Sequence, residues 1–504
     1  MKVKHIILAA AVSIFTLSCS ENETTEQQPT IETTVTNDEP LSEAKINAII
    51  EESLSTHGTF SWKNVDDHTL WSALVHGEKI LSIGYGKEEA YFSSSPDAQL
   101  TSLKNKLLAI VTKNEGLSKE NATITDYDVI NVLDVQVGKL STIKELRNTE
   151  GVRYIEPIGY STFTSTATSS LFNGSGCSQE SDYIYGADYT TTSPNNAKIS
   201  WHLSRHNVPS AWRYSTGKGI TVGLIDTGVS RSQTLLNSSG FNDGYSYGRT
   251  VEKYGTFIDS SWWWSSNYDG PHDLCGHGTS MASIIAAPRN DNGQAIGVAY
   301  NSNLIAYRAT EDVVLNDYHE RKGVTKALIQ LANRSDVKII SMSVGYLWSI
   351  GNIRDAIKYA HSKGKLIFAA GGTSTSFTTW YGVIFPASMS ETVAVTGVKD
   401  GQSYQDCKTC HSGSKIDFTI IMERASNTNR HVLALGFYNG QENYVGGSSA
   451  ATATTAGIAA LVWARHPTWT RSQILHKLKQ SADFYPYKSS RFGYGNIDAL
   501  RAVQ

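Results

Sequence analysis

The sequence lacks three features that mark other classes of protein. Its 44 lysines and arginines do not exceed its 47 aspartates and glutamates, so it has no basic excess with which to bind nucleic acid. After the first residues, no apolar run is long enough to cross a bilayer. Internal repeats are absent as well. We therefore expect neither a nucleic-acid-binding protein, nor a multispanning membrane protein, nor a repeat architecture.

The N-terminus carries an export signal. Lys2 and Lys4 precede an apolar stretch, 6–17, that is too short to span a bilayer, which predicts a signal peptide over residues 1–18. Cys19 follows a serine, and this junction resembles the lipoprotein signal, in which the cysteine becomes lipidated. Lipidation would anchor the protein in the outer membrane or at the cell surface. Ordinary export to the periplasm or the medium is the alternative, because the junction also suits a general signal peptidase.

Composition divides the rest of the chain into four segments. Residues 19–58 are acidic and threonine-rich with little apolar content, which predicts a flexible tether. Alternating strand-like and helical stretches over 59–160 predict a small α+β domain. A Ser/Thr/Gly-rich linker, 161–198, leads to the main domain, 199–504, which is long enough to bury a sizeable core.

Three short segments of the main domain each hold one reactive residue between small residues. They are Asp226 in Ile-Asp-Thr-Gly, His277 in Gly-His-Gly-Thr and Ser449 in Gly-Ser-Ser-Ala. A serine hydroxyl is a poor nucleophile at neutral pH unless an imidazole accepts its proton and a carboxylate holds that imidazole in one tautomer. The three residue types together predict a nucleophilic triad. A second Asp-Thr-Gly is absent, which disfavours the paired carboxylates of an aspartic protease.

The sequence around these residues predicts an α/β fold. Asp226 follows a buried, β-rich run, whereas His277 and Ser449 precede helical sequences. Strands and helices alternate through the main domain, which predicts a parallel sheet flanked by helices, with the reactive residues at its carboxyl edge. The candidate strands are 220–225, 303–309, 337–344, 365–370 and 392–398.

The three motifs resemble those of the subtilisin-like serine proteases, or subtilases, and occur in that family's order. The likeness extends over about 199–503. It implies an endopeptidase that hydrolyses peptide bonds through an acyl-enzyme and needs no cofactor for catalysis. Ser449 would be the nucleophile, His277 the general base and then acid, and Asp226 the residue that orients the imidazole. The Ser449 N–H would help to hold the oxyanion.

One position departs from the family pattern. Subtilases have Gly-Asn after the strand that here ends at Ala370, and the Asn side chain donates a hydrogen bond to the oxyanion, but this chain has Gly372 in its place. Loss of such a donor lowers turnover by about 10²–10³, a magnitude known from subtilisin itself. Thr373, Ser374 or a water molecule are alternative donors. The substitution leaves open a weakly active or inactive peptide-binding protein and a maturation protease of narrow specificity.

The resemblance also assigns a substrate groove. The substrate backbone would add as a strand along one wall, and its side chains would enter pockets. The first wall is Ser343, Val344 and Gly345, and the second is Ala369, Ala370 and Gly371. Tyr346 either narrows the specificity pocket or points outward. Trp262–Trp264 either line the cleft or pack within their own loop.

The domain at 59–160 resembles the propeptides of subtilases, small domains that template folding and block the cleft with their C-terminal strand. Here that strand is predicted at Val152–Pro157. An unrelated small domain is the alternative. An exposed, flexible linker can enter an active site where a folded segment cannot, so we expect the maturation cut within it. The propeptide would then be a partner of the protein, besides its peptide or protein substrates.

Four cysteines follow Cys19, and an even number in an exported chain predicts disulfides. Three pairings are open, and we favour Cys177 with Cys275 and Cys407 with Cys410. The second pair, followed by His411, also spells the c-type haem attachment motif. No second sign of a haem pocket accompanies it.

A polar turn after the His277 helix is a candidate metal site. Asn290, Asp291 and Asn292 resemble the loop that binds calcium in many subtilases. Oxygen-bearing side chains and carbonyls at such a turn suit a hard cation. Calcium would serve as a structural ion, and a plain polar turn is the alternative.

Overall fold

The computed structural model describes residues 39–87, 97–162, 176–258, 267–372, 382–401 and 403–504. The predicted signal peptide, Cys19 and Trp262–Trp264 lie outside the described residues. From Pro40 to Gln504 the chain forms one compact unit. None of the helices in the described ranges combines the length and apolar content that a membrane span requires.

The N-terminal domain is built on an antiparallel sheet of four strands. They are β1 (Ile80–Tyr85), β2 (Thr123–Tyr127), β3 (Val132–Gln136) and β4 (Val152–Pro157), in the order β2-β3-β1-β4. The described helices of this domain are Glu43–His57, Asp67–His76, Ala98–Glu115, Lys119–Ala122 and Leu140–Arg147. The domain therefore has the α+β character that the sequence predicts.

The helix Glu43–His57 corrects the predicted tether over 19–58. The Ser42 side chain caps its first turn, and Gly58 ends it in the left-handed conformation. The buried residues repeat every four positions along one face: Ile46, Ile50 and Leu54. The tether prediction was wrong for this part because a single narrow apolar stripe leaves most positions polar, so the composition still resembles that of an unfolded segment.

The described part of the linker, 176–198, is structured rather than flexible. β5 (Tyr189–Thr191) pairs with β6 (Lys198–Ser200) in an antiparallel hairpin. A short 3-10 helix, Gly186–Asp188, precedes it. The prediction of a flexible linker therefore fails for its second half, whose contacts with the main domain are described below.

The main domain contains a parallel sheet of seven strands. They are β7 (Thr221–Asp226), β8 (Val251–Gly255), β9 (Asn303–Arg308), β10 (Val337–Met342), β11 (Leu366–Ala370), β12 (Val393–Asp400) and β13 (Phe418–Arg424), in the order β13-β12-β11-β10-β7-β9-β8. A hairpin of β14 (Val432–Leu435) and β15 (Glu442–Val445) lies apart from it. The described helices are Trp201–Arg205, Val208–Ala211, His277–Ala286, Tyr318–Asn333, Gly351–Ser362, Gly447–Arg465, Arg471–Ser481 and Ala499–Val503.

Alternate residues of the central strands face two separate apolar cores. Ile225 and Ile340 pack into the core that holds the helices Tyr318–Asn333 and Gly351–Ser362, together with the N-terminal domain. Leu224 and Ile339 pack into the opposite core, with the helices that begin at His277 and Gly447. All six residues of β7 are buried, as expected for a parallel strand covered on both faces. The predicted parallel sheet flanked by helices is confirmed.

Candidate active site

Asp226 ends β7 and is fully buried. Its Oδ1 accepts hydrogen bonds from the Thr227 N–H at 2.8 Å and from His277 Nδ1 at 2.7 Å. A proton held on Nδ1 leaves the Nε2 lone pair free to accept another proton. The carboxylate therefore fixes the tautomer that a general base requires.

His277 is positioned by a buried carboxylate that the sequence did not reveal as functional. One oxygen of Asp273 accepts the backbone N–H groups of Cys275 and Gly276, both at 2.8 Å. The other accepts the N–H and hydroxyl of Thr279, at 2.9 and 2.6 Å. These bonds satisfy donors at the start of the helix that His277 begins. Asp273 lies four residues before His277, which was the only available signal for such a cap.

The electrostatic surroundings favour the protonated form of His277. Burial by itself lowers the pKa of this imidazole, but the carboxylates of Asp226, Asp273 and Asp312 outweigh it and raise the pKa above the ordinary value of 6.5. Burial also raises the pKa of Asp312, to about 6. The acidic side chains around the ring would therefore stabilise the imidazolium that forms during catalysis.

Ser449 lies in the first turn of the helix Gly447–Arg465 and is largely buried. Gly447 starts this turn at φ +76°, a conformation that favours glycine. The preceding Ser448 Oγ accepts the Gly372 N–H at 3.1 Å, which ties the helix start to the end of β11. This helix packs against the helix that begins at His277, so Ser449 and His277 lie in the first turns of two adjoining helices.

Gly372 has no side chain with which to donate a hydrogen bond to the candidate oxyanion site. Its φ is +123°, its N–H is bonded to Ser448, and its carbonyl accepts the His411 N–H at 3.0 Å. A Cβ at this position would meet the His411 ring, whose Cγ and Cε1 would lie 3.0 and 3.1 Å away. The alternative donors Thr373 and Ser374 lie outside the described residues.

The predicted substrate walls lie beside these groups. Ser343 Oγ donates to the Ser449 carbonyl at 3.5 Å, and Val344 is buried. Ala369 and Ala370 belong to β11, and the Gly371 N–H donates to the Val395 carbonyl at 2.8 Å. The Ser343 contact places the first wall beside Ser449, and the second wall ends one residue before Gly372, whose N–H donates to Ser448.

Gly345 differs from the expected role in strand addition. Its N–H donates to the Val313 carbonyl at 2.9 Å, and its carbonyl accepts the Leu315 N–H at 3.1 Å. Both backbone groups are therefore already paired within the chain. Tyr346 is buried, stacks edge-on with Trp348 and faces the Arg321 guanidinium, so it points away from solvent.

The N-terminal domain docks on the main domain through β4 and the residues after it. Arg153 and the Tyr154 hydroxyl both donate to Asp355 Oδ2, at 2.7 and 2.8 Å, and Glu156 accepts the N–H of Gly351 at 2.8 Å. Arg321 then donates to the carbonyls of Ile158 and Tyr160, at 2.6 and 2.8 Å. The end of this domain is therefore held by its backbone, as a bound peptide would be.

The described part of the linker, which begins at Gly176, lies against His277. A disulfide joins Cys177 to Cys275, and a Cβ at Gly176 would lie 2.7 Å from Cδ2 and 3.5 Å from Nε2 of the His277 ring. Asp182 extends the contact by donating its N–H to the Glu442 carbonyl at 3.0 Å. The linker backbone therefore covers the edge of the imidazole that carries Nε2.

The other two cysteines, Cys407 and Cys410, are joined to each other. This short loop immediately precedes His411. The structure thus forms the two favoured pairings, one that ends two residues before His277 and one that ends directly before His411. Neither pair leaves a free thiol near the triad.

The candidate calcium loop is organised around an amide. Asn290 is buried, and its Nδ2 donates to the carbonyls of Pro288 and Gln294, both at 3.1 Å. Asp291 and Asn292 both donate nitrogen hydrogens to the Asp243 carboxylate, at 2.9 and 3.0 Å. Across the described ranges, no group of three or more His, Cys, Asp or Glu side chains is arranged to hold a metal. The Pro288 and Gln294 carbonyls of this loop therefore already accept hydrogen bonds from the Asn290 side chain.

The fold is a parallel α/β sheet flanked by helices. A hydrogen-bonded aspartate–histidine pair lies at its carboxyl edge, and a serine lies in the first turn of an adjoining helix. This combination defines a subtilisin-like serine peptidase. The model of the subtilase family matches residues 217–495, more than half of the chain, and the protein belongs to that family. The resemblance inferred from the motifs and the assignment as a serine endopeptidase are confirmed.

Named relatives agree with this family. The thermophilic serine proteinase of Bacillus sp. (strain AK1) is 26% identical over 90% of this chain and 94% of its own. Subtilisin E of Bacillus subtilis (strain 168) is 28% identical over 57% of this chain and 67% of its own. The crystal structure of fervidolysin from Fervidobacterium pennivorans, a keratinolytic enzyme related to subtilisin, has a TM-score of 0.59 and 16% identity. It covers 85% of this chain and 61% of its own, and it shows the fold.

Proposed function

We propose that the protein is an exported serine endopeptidase made as a zymogen, with Asp226, His277 and Ser449 as its triad. The observation that carries this proposal is the 2.7 Å hydrogen bond between Asp226 and His277 Nδ1, with Ser449 at the start of the adjoining helix. The bond leaves Nε2 as the base, and the raised pKa of His277 favours the protonated intermediate.

In the proposed reaction Ser449 Oγ attacks the substrate carbonyl while His277 Nε2 takes its proton. The Ser449 N–H, in the first turn of its helix, is available to the oxyanion. His277 then gives the proton to the leaving amine as the C–N bond breaks. Water, deprotonated by the same nitrogen, hydrolyses the acyl-enzyme and releases Ser449.

The N-terminal domain is proposed as the inhibitory propeptide. Its residues Ile158 and Tyr160 are held by Arg321, and the linker lies against His277 at Gly176. The intact precursor therefore covers the catalytic base with its own backbone. A cut within 163–175 would release the domain, whereas Gly176 onward would stay tied through Cys177 and Cys275.

The test is covalent labelling with a fluorophosphonate probe. The processed wild type should be labelled, and Ser449→Ala should abolish both labelling and processing. A folded, processed protein that takes no label would instead be a peptide-binding protein. Labelling without cleavage of casein would identify a maturation protease of narrow specificity.

Export and lipidation of Cys19 are proposed from the N-terminal sequence, and the relatives include an extracellular protease of Bacillus subtilis. A mass spectrum of the exported protein tests this directly. A lipidated protein would begin at Cys19 with the mass of its acyl chains. An unmodified N-terminus would place the protein in the periplasm or the medium.

Calcium at the Asn290 loop stays a proposal, and it would have to compete with the Asn290 amide for the inward carbonyls. Thermal unfolding with calcium and with a chelator decides it. A bound structural ion raises the midpoint in proportion to the logarithm of its concentration. An unchanged midpoint would identify a plain polar turn.

A further inference from the structure

His411 occupies the space that a side chain at position 372 would fill. Of its ring atoms, Nδ1 would lie nearest to a Cβ built on Gly372, followed by Cγ and Cε1. The two residues are also joined through their backbones, because the His411 N–H donates to the Gly372 carbonyl at 3.0 Å. An imidazole nitrogen therefore stands beside the position where the oxyanion site lacks a donor.

The His411 ring is buried without a hydrogen-bond partner. The residue is 3% exposed, and neither ring nitrogen makes a hydrogen bond within the described structure. The Gly382 backbone interacts with the ring and raises the pKa of the imidazole, against the effect of burial. A buried polar group without a partner destabilises a folded protein, so its retention requires a reason.

The surroundings of His411 keep it neutral and in place. Burial lowers the pKa of the imidazole, and only the nearby Gly382 carbonyl opposes that shift. The disulfide between Cys407 and Cys410 fixes the chain before the ring, and Thr396 Oγ1 donates to the His411 carbonyl. A neutral imidazole carries one N–H and can donate it without giving up a proton.

We propose that His411 supplies the second hydrogen-bond donor to the oxyanion, through Nδ1–H, in place of the side chain that Gly372 lacks. This inference rests on the proposed function. The oxyanion forms when Ser449 Oγ bonds to the substrate carbonyl carbon, and it reverts to a carbonyl when the C–N bond breaks. The His411 N–H donates to it throughout, and no proton is transferred from this ring.

The test compares His411→Asn with His411→Leu. Asparagine and leucine have similar size, but only asparagine places an N–H close to the position of Nδ1. With a short peptide substrate, the leucine variant should lose about 10²–10³ in kcat with little change in KM, because the donor acts on the transition state. The asparagine variant should stay within about tenfold of wild type. Equal loss in both variants would overturn the proposal and leave the ring a packing role.

A second measurement separates donation from packing. A peptide aldehyde forms a tetrahedral adduct with Ser449, so its inhibition constant should rise in His411→Leu by the same factor by which kcat/KM falls. Binding of a non-covalent peptide product should not change. An aldehyde affinity equal to that of wild type would contradict the proposed role.

Wild-type protein provides the remaining check, should the leucine variant fail to fold or mature. In a crystal structure of its aldehyde adduct, His411 Nδ1 should lie within about 3.2 Å of the adduct oxygen. A separation that excludes a hydrogen bond would refute the inference. Fluorophosphonate labelling of wild type but not Ser449→Ala tests the triad independently, so failure of this inference is distinguishable from failure of the proposed function.

Discussion

The buried ion pair between Arg153 and Asp355 should control how firmly the N-terminal domain docks. Asp355 is 1% exposed, and its Oδ2 accepts both Arg153 at 2.7 Å and the Tyr154 hydroxyl at 2.8 Å. Arg153→Ala would leave this buried carboxylate with the Tyr154 hydroxyl as its hydrogen-bond donor and with Arg354, 3.8 Å from Oδ1, as its cationic partner. Removal of one partner from a buried pair costs about 3–5 kcal/mol. We take the lower value because the arginine side chain is 11% exposed.

The assay is amide hydrogen exchange in full-length Ser449→Ala, which the proposed function predicts will not process itself. A loss of about 3 kcal/mol corresponds to about 100-fold faster exchange in strand β4, since 1.4 kcal/mol is a factor of ten. Arg153 also donates to the Tyr85, Ile130 and Asn131 carbonyls of its own domain, so the single variant alone does not isolate the pair.

A double-mutant cycle separates the two contributions. Arg153→Ala with Asp355→Ala should cost at least about 1.5 kcal/mol less than the sum of the single changes, the lower limit for a hydrogen bond to a charged group. Lys144→Ala, at an exposed position of the same domain, serves as the control and should leave the exchange rate of β4 unchanged. Strictly additive effects of Arg153→Ala and Asp355→Ala would refute the reasoning.

Three further predictions concern the triad and the linker. Catalysis needs neutral His277, whose pKa is raised, so kcat/KM should fall as the pH is lowered, with a midpoint above pH 6.5. In a pH–rate profile of Asp312→Asn this midpoint should move to lower pH, because one of the carboxylates that raise the pKa is lost. Asp273→Ala removes the helix cap and should lower the free energy of unfolding in urea by about 1–2 kcal/mol, and an unchanged midpoint would contradict the capping role. Replacing Cys177 and Cys275 by serine opens a loop that spans 98 residues and should destabilise the mature enzyme by up to about 4.7 kcal/mol in the same assay, whereas a loss below about 1 kcal/mol would show that the covalent tie contributes little.

Residues close together in the chain determined most of the fold. The bounds of strand Val152–Pro157 match their prediction, and β7, Thr221–Asp226, lies one residue from the predicted 220–225, because local patterns of apolar residues specify them. The helix Glu43–His57 was missed, since its three buried apolar residues are spread through a polar segment. It is stabilised by packing, which composition does not reveal.

The sequence by itself determined the chemistry of this protein: an aspartate at a strand end and a histidine and a serine at helix starts, each in a short local motif. Only the tertiary structure decided what surrounds them. The Gly176 backbone over His277 and the His411 ring beside Gly372 both depend on where separate loops meet. Such contacts join residues that are distant in the chain, so no local sequence pattern encodes them. They are set by the crossings that the parallel sheet imposes on its connecting segments.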